Sequence, residues 1–377
     1  MNCKTSAPGL SSGSRFALIV ASVLAMATGA HAQDSEPDPL LAGGDEGTEA
    51  ASLAFGGDLW LGQDHVSGLP NGRTDLNRTR GRLRFGATWI FAPSWEFVGS
   101  ARVAQGSDDN DDNRRNNDNE RSDSFGVDQV LLRWRASENA NLQFGKAPLP
   151  LDLSPMLWDP DLRPLGFAFE RSVALGDFDR LQFVAGYFAG DHLYGDESRI
   201  GAAQIGWHWR EGAPLRGSAQ LAWLDFSSLD ELARQGLGRT NTLIGGDYRD
   251  DYRLLDLQLG GHLDLGNWPL DLRIDLVRNV GADSDRDGGR LSLSVGDPRQ
   301  PGGLQFGVAL HRIQRDAVLA AFGSDDWWFH SNMRGQLAWI AYGIDRTWNL
   351  RLSGFRELRD GLDEHTHRLR FDVSANW

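Results

Sequence analysis

The chain has 377 residues, 24% of them charged and 40% hydrophobic, a balance too polar for a bundle of membrane-spanning helices. Its formal charge of -14 excludes nucleic acid as the main partner, because phosphate binding needs a basic face. With 45 Gly, 14 Trp and a single Cys it does not resemble an ordinary cytosolic enzyme, and its length fits one large all-β domain.

Lys4 and Arg15 precede an uncharged apolar run from Phe16 to Ala30, and Ala30-His31-Ala32 offers small residues around a cleavage point before Gln33. This is the pattern of a secretory signal peptide over residues 1–32, too short for a spanning anchor. Cys3 leaves with it, so the exported chain has no thiol for a disulfide, a nucleophile or a Cys-based metal site. Residues 33–50 are acidic, small and unpatterned, and read as a short disordered periplasmic arm. No later stretch is apolar enough to span as a helix. The exported chain is therefore either soluble outside the inner membrane or a β-barrel in an outer membrane.

The pattern over 51–377 favours the barrel. In 79–91, Leu83, Phe85, Ala87, Trp89 and Phe91 share one face, while Arg80, Arg82, Arg84 and Thr88 share the other. Period two is the strand signal. The alternation returns at Leu255, Leu257, Leu259, Leu263 and Leu265 against Asp256, Gln258, His262 and Asp264. It returns again at Leu369, Phe371, Val373, Ala375 and Trp377 against Arg368, Arg370 and Asp372. Many segments are longer than the roughly 5–6 residues usual in a soluble sandwich and match a tilted membrane strand of about 9–11 residues. Aromatics at segment ends, such as Trp89, Phe91, Trp95, Phe97, Trp207, Trp209 and Trp377, suit the girdles at the two membrane interfaces.

Sixteen strands are expected, over 52–62, 79–91, 95–105, 124–136, 140–147, 166–175, 180–190, 198–210, 216–226, 250–265, 269–280, 289–297, 303–313, 333–343, 347–355 and 365–377. Short turns such as Ala92-Pro93-Ser94 and Gly266-Asn267-Trp268 alternate with long polar loops at 63–78, 106–123, 148–165, 227–249 and 314–332. That rhythm predicts an up-and-down antiparallel transmembrane barrel with both termini in the periplasm and its long loops outside.

At 145–166 the sequence reads GKAPLPLDLSPMLWDPDLRPLG, and Asp316 to Phe322 followed by Trp348-Asn349-Leu350 forms a second patch. These stretches resemble the porins of Gram-negative outer membranes, of the general or phosphate-selective kind. The resemblance implies a passive channel without catalysis or cofactor. The chain departs from the family in its short 33–50 segment, where relatives often carry a longer periplasmic stretch. It departs also in ending on Trp377 rather than Phe.

Function in such a channel is electrostatic, since charged lumen residues select the permeating ion. The expected basic wall is Arg80, Arg82, Arg84, Arg102, Arg133, Arg135 and Lys146, which would make the constriction lean toward anions. These arginines either act on solutes or pair with lumen carboxylates such as Glu96 and hold the wall rigid. Asp152, Asp159 and Asp161 supply acidic counterparts in a proline-stiffened 148–165 loop expected to fold into the pore. Other motifs carry less. Asp283-Ser284-Asp285-Arg286-Asp287-Gly288 starts like a calcium loop but has Ser294 where the bidentate Glu belongs. His365 and His367 flank one residue and suggest at most a weak metal site. His330-Ser331-Asn332 places adjacent side chains apart, which spoils a nucleophile–base pair.

The reading is a sixteen-stranded outer-membrane porin for small hydrophilic solutes or anions, reached through export and cleavage near Ala32. Its partners are outer-membrane lipid and the barrel-assembly machinery that would read the C-terminal strand; a homotrimer is compatible with it. The alternatives are a barrel enzyme and a soluble secreted β-protein that binds sugars through its Trp residues.

Overall fold

The computed structural model describes residues 51–107, 124–190 and 197–377. The expected signal peptide, the 33–50 arm and all but two residues of the 106–123 tract lie outside the described residues. The strands in chain order are β1 (Ser52–Ser67), β2 (Leu76–Ala92), β3 (Trp95–Gly106), β4 (Ser124–Ser137), β5 (Ala140–Lys146) and β6 (Leu165–Ala174). They continue with β7 (Arg180–Ala189), β8 (Arg199–Trp209), β9 (Leu215–Ser227), β10 (Leu243–Ile244), β11 (Asp247–Tyr248) and β12 (Tyr252–Leu263). The last six are β13 (Leu270–Asn279), β14 (Asp287–Gly296), β15 (Leu304–Ile313), β16 (Met333–Gly343), β17 (Trp348–Arg359) and β18 (Thr366–Asn376).

All but β10 and β11 form one closed antiparallel barrel of the sixteen expected strands, with β18 returning to β1. Closure gives every barrel strand a neighbour on both sides, so the backbone groups of the ladders pair within the sheet rather than at an open edge. The seam is completed at the chain end, where Gly57 and Trp377 exchange N–H···O bonds of 3.0 and 3.1 Å.

Alternation along the strands sorts the two faces as the sequence predicts. On β2, Phe85 and Trp89 are exposed outward while Arg80, Arg84 and Thr88 are buried inward. On β12, Leu259 faces out while Asp256 and Gln258 are buried. At the short-turn end, Phe91 packs with Trp89 and Trp95, and Trp95 stacks on Trp134, with centroids 5.2, 6.4 and 6.1 Å apart. This is the aromatic girdle expected at a membrane interface.

Three loop expectations are corrected. Half of 63–78 is strand, because alternation persists through Asp64 and Val66 inward and His65 outward; β1 ends at Ser67 and β2 begins at Leu76. The 227–249 segment is not plain coil, since it holds a helical turn over Asp230–Leu237 and the small β10–β11 ladder. The 314–332 segment is no polar outer loop. Residues 317–322 are fully buried, and Trp327, Trp328 and Phe329 nearly so. Its apolar residues gain more inside the barrel than in water, so the loop turns inward.

Five tryptophans also lie on the inner side: Trp60, Trp158, Trp327, Trp328 and Trp339. Three of them lie across lumen-facing glycines: Trp60 beside Gly62, Trp327 over Gly335 and Trp339 over Gly307. A Cβ at any of these glycines would overlap the indole, so the residue type is dictated by the close approach of the ring.

Candidate functional site

The inward face of β2 carries Arg78, Arg80, Arg82 and Arg84, and the barrel seam sets Arg368 and Arg370 of β18 across β1 from them. Between these two cationic rows runs a line of carboxylates on β1. Asp64 receives Arg78 at 2.9 Å, Arg368 at 3.0 Å and Arg80 at 3.4 Å. Asp58 receives Arg84 at 2.5 Å and Arg82 at 3.5 Å. On β18 itself, Asp372 holds Arg370 at 2.9 Å. Buried ions are tolerable in such a wall because each is paired and hydrogen-bonded.

Two loops complete the cluster from inside the barrel. Residues 147–164, between β5 and β6, cross the lumen, which is where the 148–165 loop was expected. At one side the Asp152 carboxylate pairs with Arg273 of β13 at 2.8 Å, and its carbonyl accepts from Gln258 at 2.7 Å. The Gln204 amide closes the same corner, accepting the Asp152 N–H at 3.0 Å, and the Ser154 N–H donates to Asp256 at 3.0 Å. At the other side Asp161 meets the ladder, in direct contact with Arg82 and 3.6 Å from Arg84. Burial alone would raise the Asp161 carboxyl, but Arg82, Arg84 and Arg163 hold it well below the usual carboxylate range. The 314–332 loop adds Asp325, 2.9 Å from Arg80, and Asp326, which pairs with Arg370. Burial would likewise raise Asp326, and Arg370 with Arg368 brings it down to about 2.

The loops brace each other. The Asp159 N–H donates to the Phe322 carbonyl at 2.7 Å, and the Trp158 and Phe322 rings stack at 5.4 Å. Behind that contact, Phe226, Leu224 and Leu254 from β9 and β12 join them in a continuous apolar cluster. One side of the lumen is thus filled by hydrophobic packing, and the other carries the ion-paired wall.

The predicted site residues are not all brought together. Arg80, Arg82, Arg84 and Asp161 converge as described. Arg102 lies inward on β3, directly across from Arg84, near Asp128, which itself pairs with Arg163 at 3.5 Å. Arg133 and Arg135 stand nearer the short-turn end and both grip Glu96, at 2.7 and 2.8 Å. Lys146 is a correction. Its cross-strand neighbours Val130 and Leu165 are both exposed outward, and its ammonium donates to the Val127 carbonyl at 2.6 Å. It does not belong to the lumen wall. Asp159 is buried and accepts from the Asp161 and Asp325 N–H groups at 2.8 and 3.2 Å, so it shapes the loop turn.

Sequence reasoning left out Arg78, Arg368, Arg370, Asp58, Asp64 and the lumen aromatics. Arg80 sits over the Trp60 ring at 5.2 Å and Arg351 over Trp339 at 4.9 Å. The lesser motifs are accounted for structurally. The Ser331 hydroxyl donates to the Arg315 carbonyl at 2.8 Å while the His330 ring faces Arg239. Asp287 pairs with Arg278 at 2.6 Å. Among the described residues no group of three His, Cys, Asp or Glu is arranged to hold a metal.

No protein-family model matches the chain, and no curated protein matches it either. Solved structures do. OprB of Pseudomonas putida is 12% identical with a TM-score of 0.59, over 86% of this chain and 94% of that one. An anion-selective porin of Comamonas acidovorans is 11% identical with a TM-score of 0.52, over 87% and 100%. The trimer form of OmpT, an outer membrane protein of Vibrio cholerae, is 12% identical with a TM-score of 0.51, over 87% and 100%. At this identity the likeness establishes a shared fold, the closed sixteen-stranded antiparallel barrel that the strand pattern predicted.

Proposed function

We propose that the chain is an outer-membrane porin through which small hydrophilic solutes diffuse passively, without catalysis. The observation that carries this reading is the loop that bridges the lumen, tied by Asp152 to Arg273 and by Asp161 to Arg82 and Arg84. A loop anchored at both walls narrows a wide barrel to a fixed, charged aperture, which is what size and charge selection require. The outward exposure of Phe85, Trp89, Leu259, Val308 and Leu369 speaks against the soluble sugar-binding alternative, whose apolar faces would point inward.

The constriction is the stretch where Asp161 meets the ladder. Arginines there are matched closely by Asp58, Asp64, Asp161, Asp325 and Asp326, so the anion preference expected of a bare guanidinium row becomes a mild one. The aperture is a field across the pore, cationic on the β2 and β18 side, rather than a ring of one sign. A homotrimer is part of the reading, as in the trimer form of the Vibrio barrel.

Reconstitution into planar bilayers tests it. Stepwise ohmic conductance with a small anion-selective reversal potential in a KCl gradient is the expected result. A folded protein that inserts and gives no conductance steps would overturn it.

A further inference from the structure

The outward face of β15–β18 ends, on the long-loop side, in a row of cations. Arg312, Arg334, Arg356 and His367 occupy outward, exposed positions on four consecutive strands. Arg312 stands directly across from Arg334, and Arg356 across from His367. Below them the same strands are apolar outward, through Leu310, Val308 and Phe306 on β15 and Leu369 and Phe371 on β18.

Two outward cations elsewhere on this rim are neutralised. Arg278 holds Asp287 at 2.6 Å, and Arg253 holds Asp251 at 2.5 Å. The β15–β18 row differs. Arg312 reaches Asp360 at 2.7 Å, but among the described residues neither Arg334 nor Arg356 has an ion pair, although Asp363 and Glu364 lie in the adjoining loop. His365, in the β17–β18 connection, reports the same surplus: desolvation and then the Arg356, His367 and Arg334 charges hold its imidazole below the ordinary range.

The row also has shape. A concavity of about 480 Å³ opens on the outer surface, with Leu276, Leu291 and Leu310 in its lining together with Arg312, Arg334 and Arg356. It is thus apolar toward the membrane band and cationic toward the rim. Uncompensated guanidiniums at the end of a lipid-facing band match the level of lipid headgroups and fit phosphate by bidentate hydrogen bonding. Three inter-strand steps span roughly 14 Å, wide enough for a headgroup with more than one phosphate.

We infer that this concavity binds a phosphorylated lipid of the outer leaflet, its phosphates on Arg334 and Arg356 and its acyl chains along Leu276, Leu291 and Leu310. The inference rests on the outer-membrane reading above.

The test uses the purified barrel in detergent, native mass spectrometry and three probes: diphosphoryl lipid A, phosphatidylethanolamine and inorganic phosphate. The parent should retain diphosphoryl lipid A preferentially. Arg334→Gln with Arg356→Gln should lose at least tenfold in that affinity, and Arg253→Gln should retain it. Equal retention by the double variant overturns the site, as does equal retention of phosphatidylethanolamine by the parent. Saturation by inorganic phosphate alone, without competition from diphosphoryl lipid A, also overturns it by making the row a free-anion site. Bilayer conductance of the double variant separates the two readings: a conducting variant without lipid preference sinks this inference alone, whereas a parent that never conducts sinks the porin reading.

Discussion

Replacing Arg80, Arg82 and Arg84 together by Gln removes three positive charges from the aperture and leaves Asp58, Asp161 and Asp325 without those partners. Asp64 keeps Arg78 and Arg368, so the seam stays tied. Three unit charges about 8 Å from a passing ion contribute roughly 1.6 kcal/mol at water-like permittivity. Screening over a Debye length of about 8 Å at physiological salt cuts this to roughly 0.6 kcal/mol, and a length of about 30 Å at 10 mM leaves roughly 1.2 kcal/mol. The barrier falls for a cation and rises for an anion by that amount, so the cation-to-anion permeability ratio should rise about sevenfold at physiological salt and about fiftyfold at 10 mM. The assay is the reversal potential across a planar bilayer in a KCl gradient, at both mean salt concentrations. Gain of cation preference should exceed any change in single-channel conductance. A triple variant with the parent's reversal potential at 10 mM would refute the placement of the ladder at the narrowest point.

Three further outcomes are expected. Deleting Trp377 removes both backbone bonds to Gly57 and the outward terminal aromatic, so outer-membrane levels should fall strongly while export proceeds, as fractionation would report. Leu257→Arg puts a charge on the lipid face and should cost about 2–4 kcal/mol in urea unfolding. Gln258→Ala, one residue away, should spare stability far more but loosen the Asp152 corner and raise conductance noise. Asp161, whose folded value is depressed, contributes docking of the loop that is fully present above its ordinary value near 4 and fades only as pH falls through the lower folded value. Conductance should therefore hold steady from pH 7 to 4, whereas Asp161→Asn should widen the aperture at every pH, and a parent step near pH 4 would argue against the pairing.

The barrel was legible because lipid and lumen impose opposite polarity on alternate residues, and that pattern survives in one sequence without reference to any distant contact. β2 and β18 show it most plainly. The site was legible only where register alone decides it. Arg80, Arg82 and Arg84 follow from alternation, but their neutralisation by Asp58 and Asp64 depends on which carboxylates a neighbouring strand brings alongside. Arg368 and Arg370 stand next to β1 because the barrel closes, so their membership was available from the even strand count and was not drawn. Lys146 shows the reverse error: it shares parity with the outward Phe144, and its charge suggested a lumen place that the alternation already denied. The inward turn of 314–332 was signalled by the apolar run Ala317 to Phe322, which no solvated loop would carry, but its contact with Trp158 joins loops far apart in the chain and cannot be read locally.

The pairing of Trp60 with Gly62, Trp327 with Gly335 and Trp339 with Gly307 bears on how such a channel can change its calibre. Each indole comes close to the wall because the residue beside it has no side chain. Restoring one methyl group there would tip a whole ring inward, converting a small change in volume into a large change in free cross-section. The space these three rings take up is therefore set by the glycines behind them. The glycines that seat these rings are distinct from the arginine rows and from Asp161, which anchors the loop across the lumen, so ring seating can drift while those ion pairs are held.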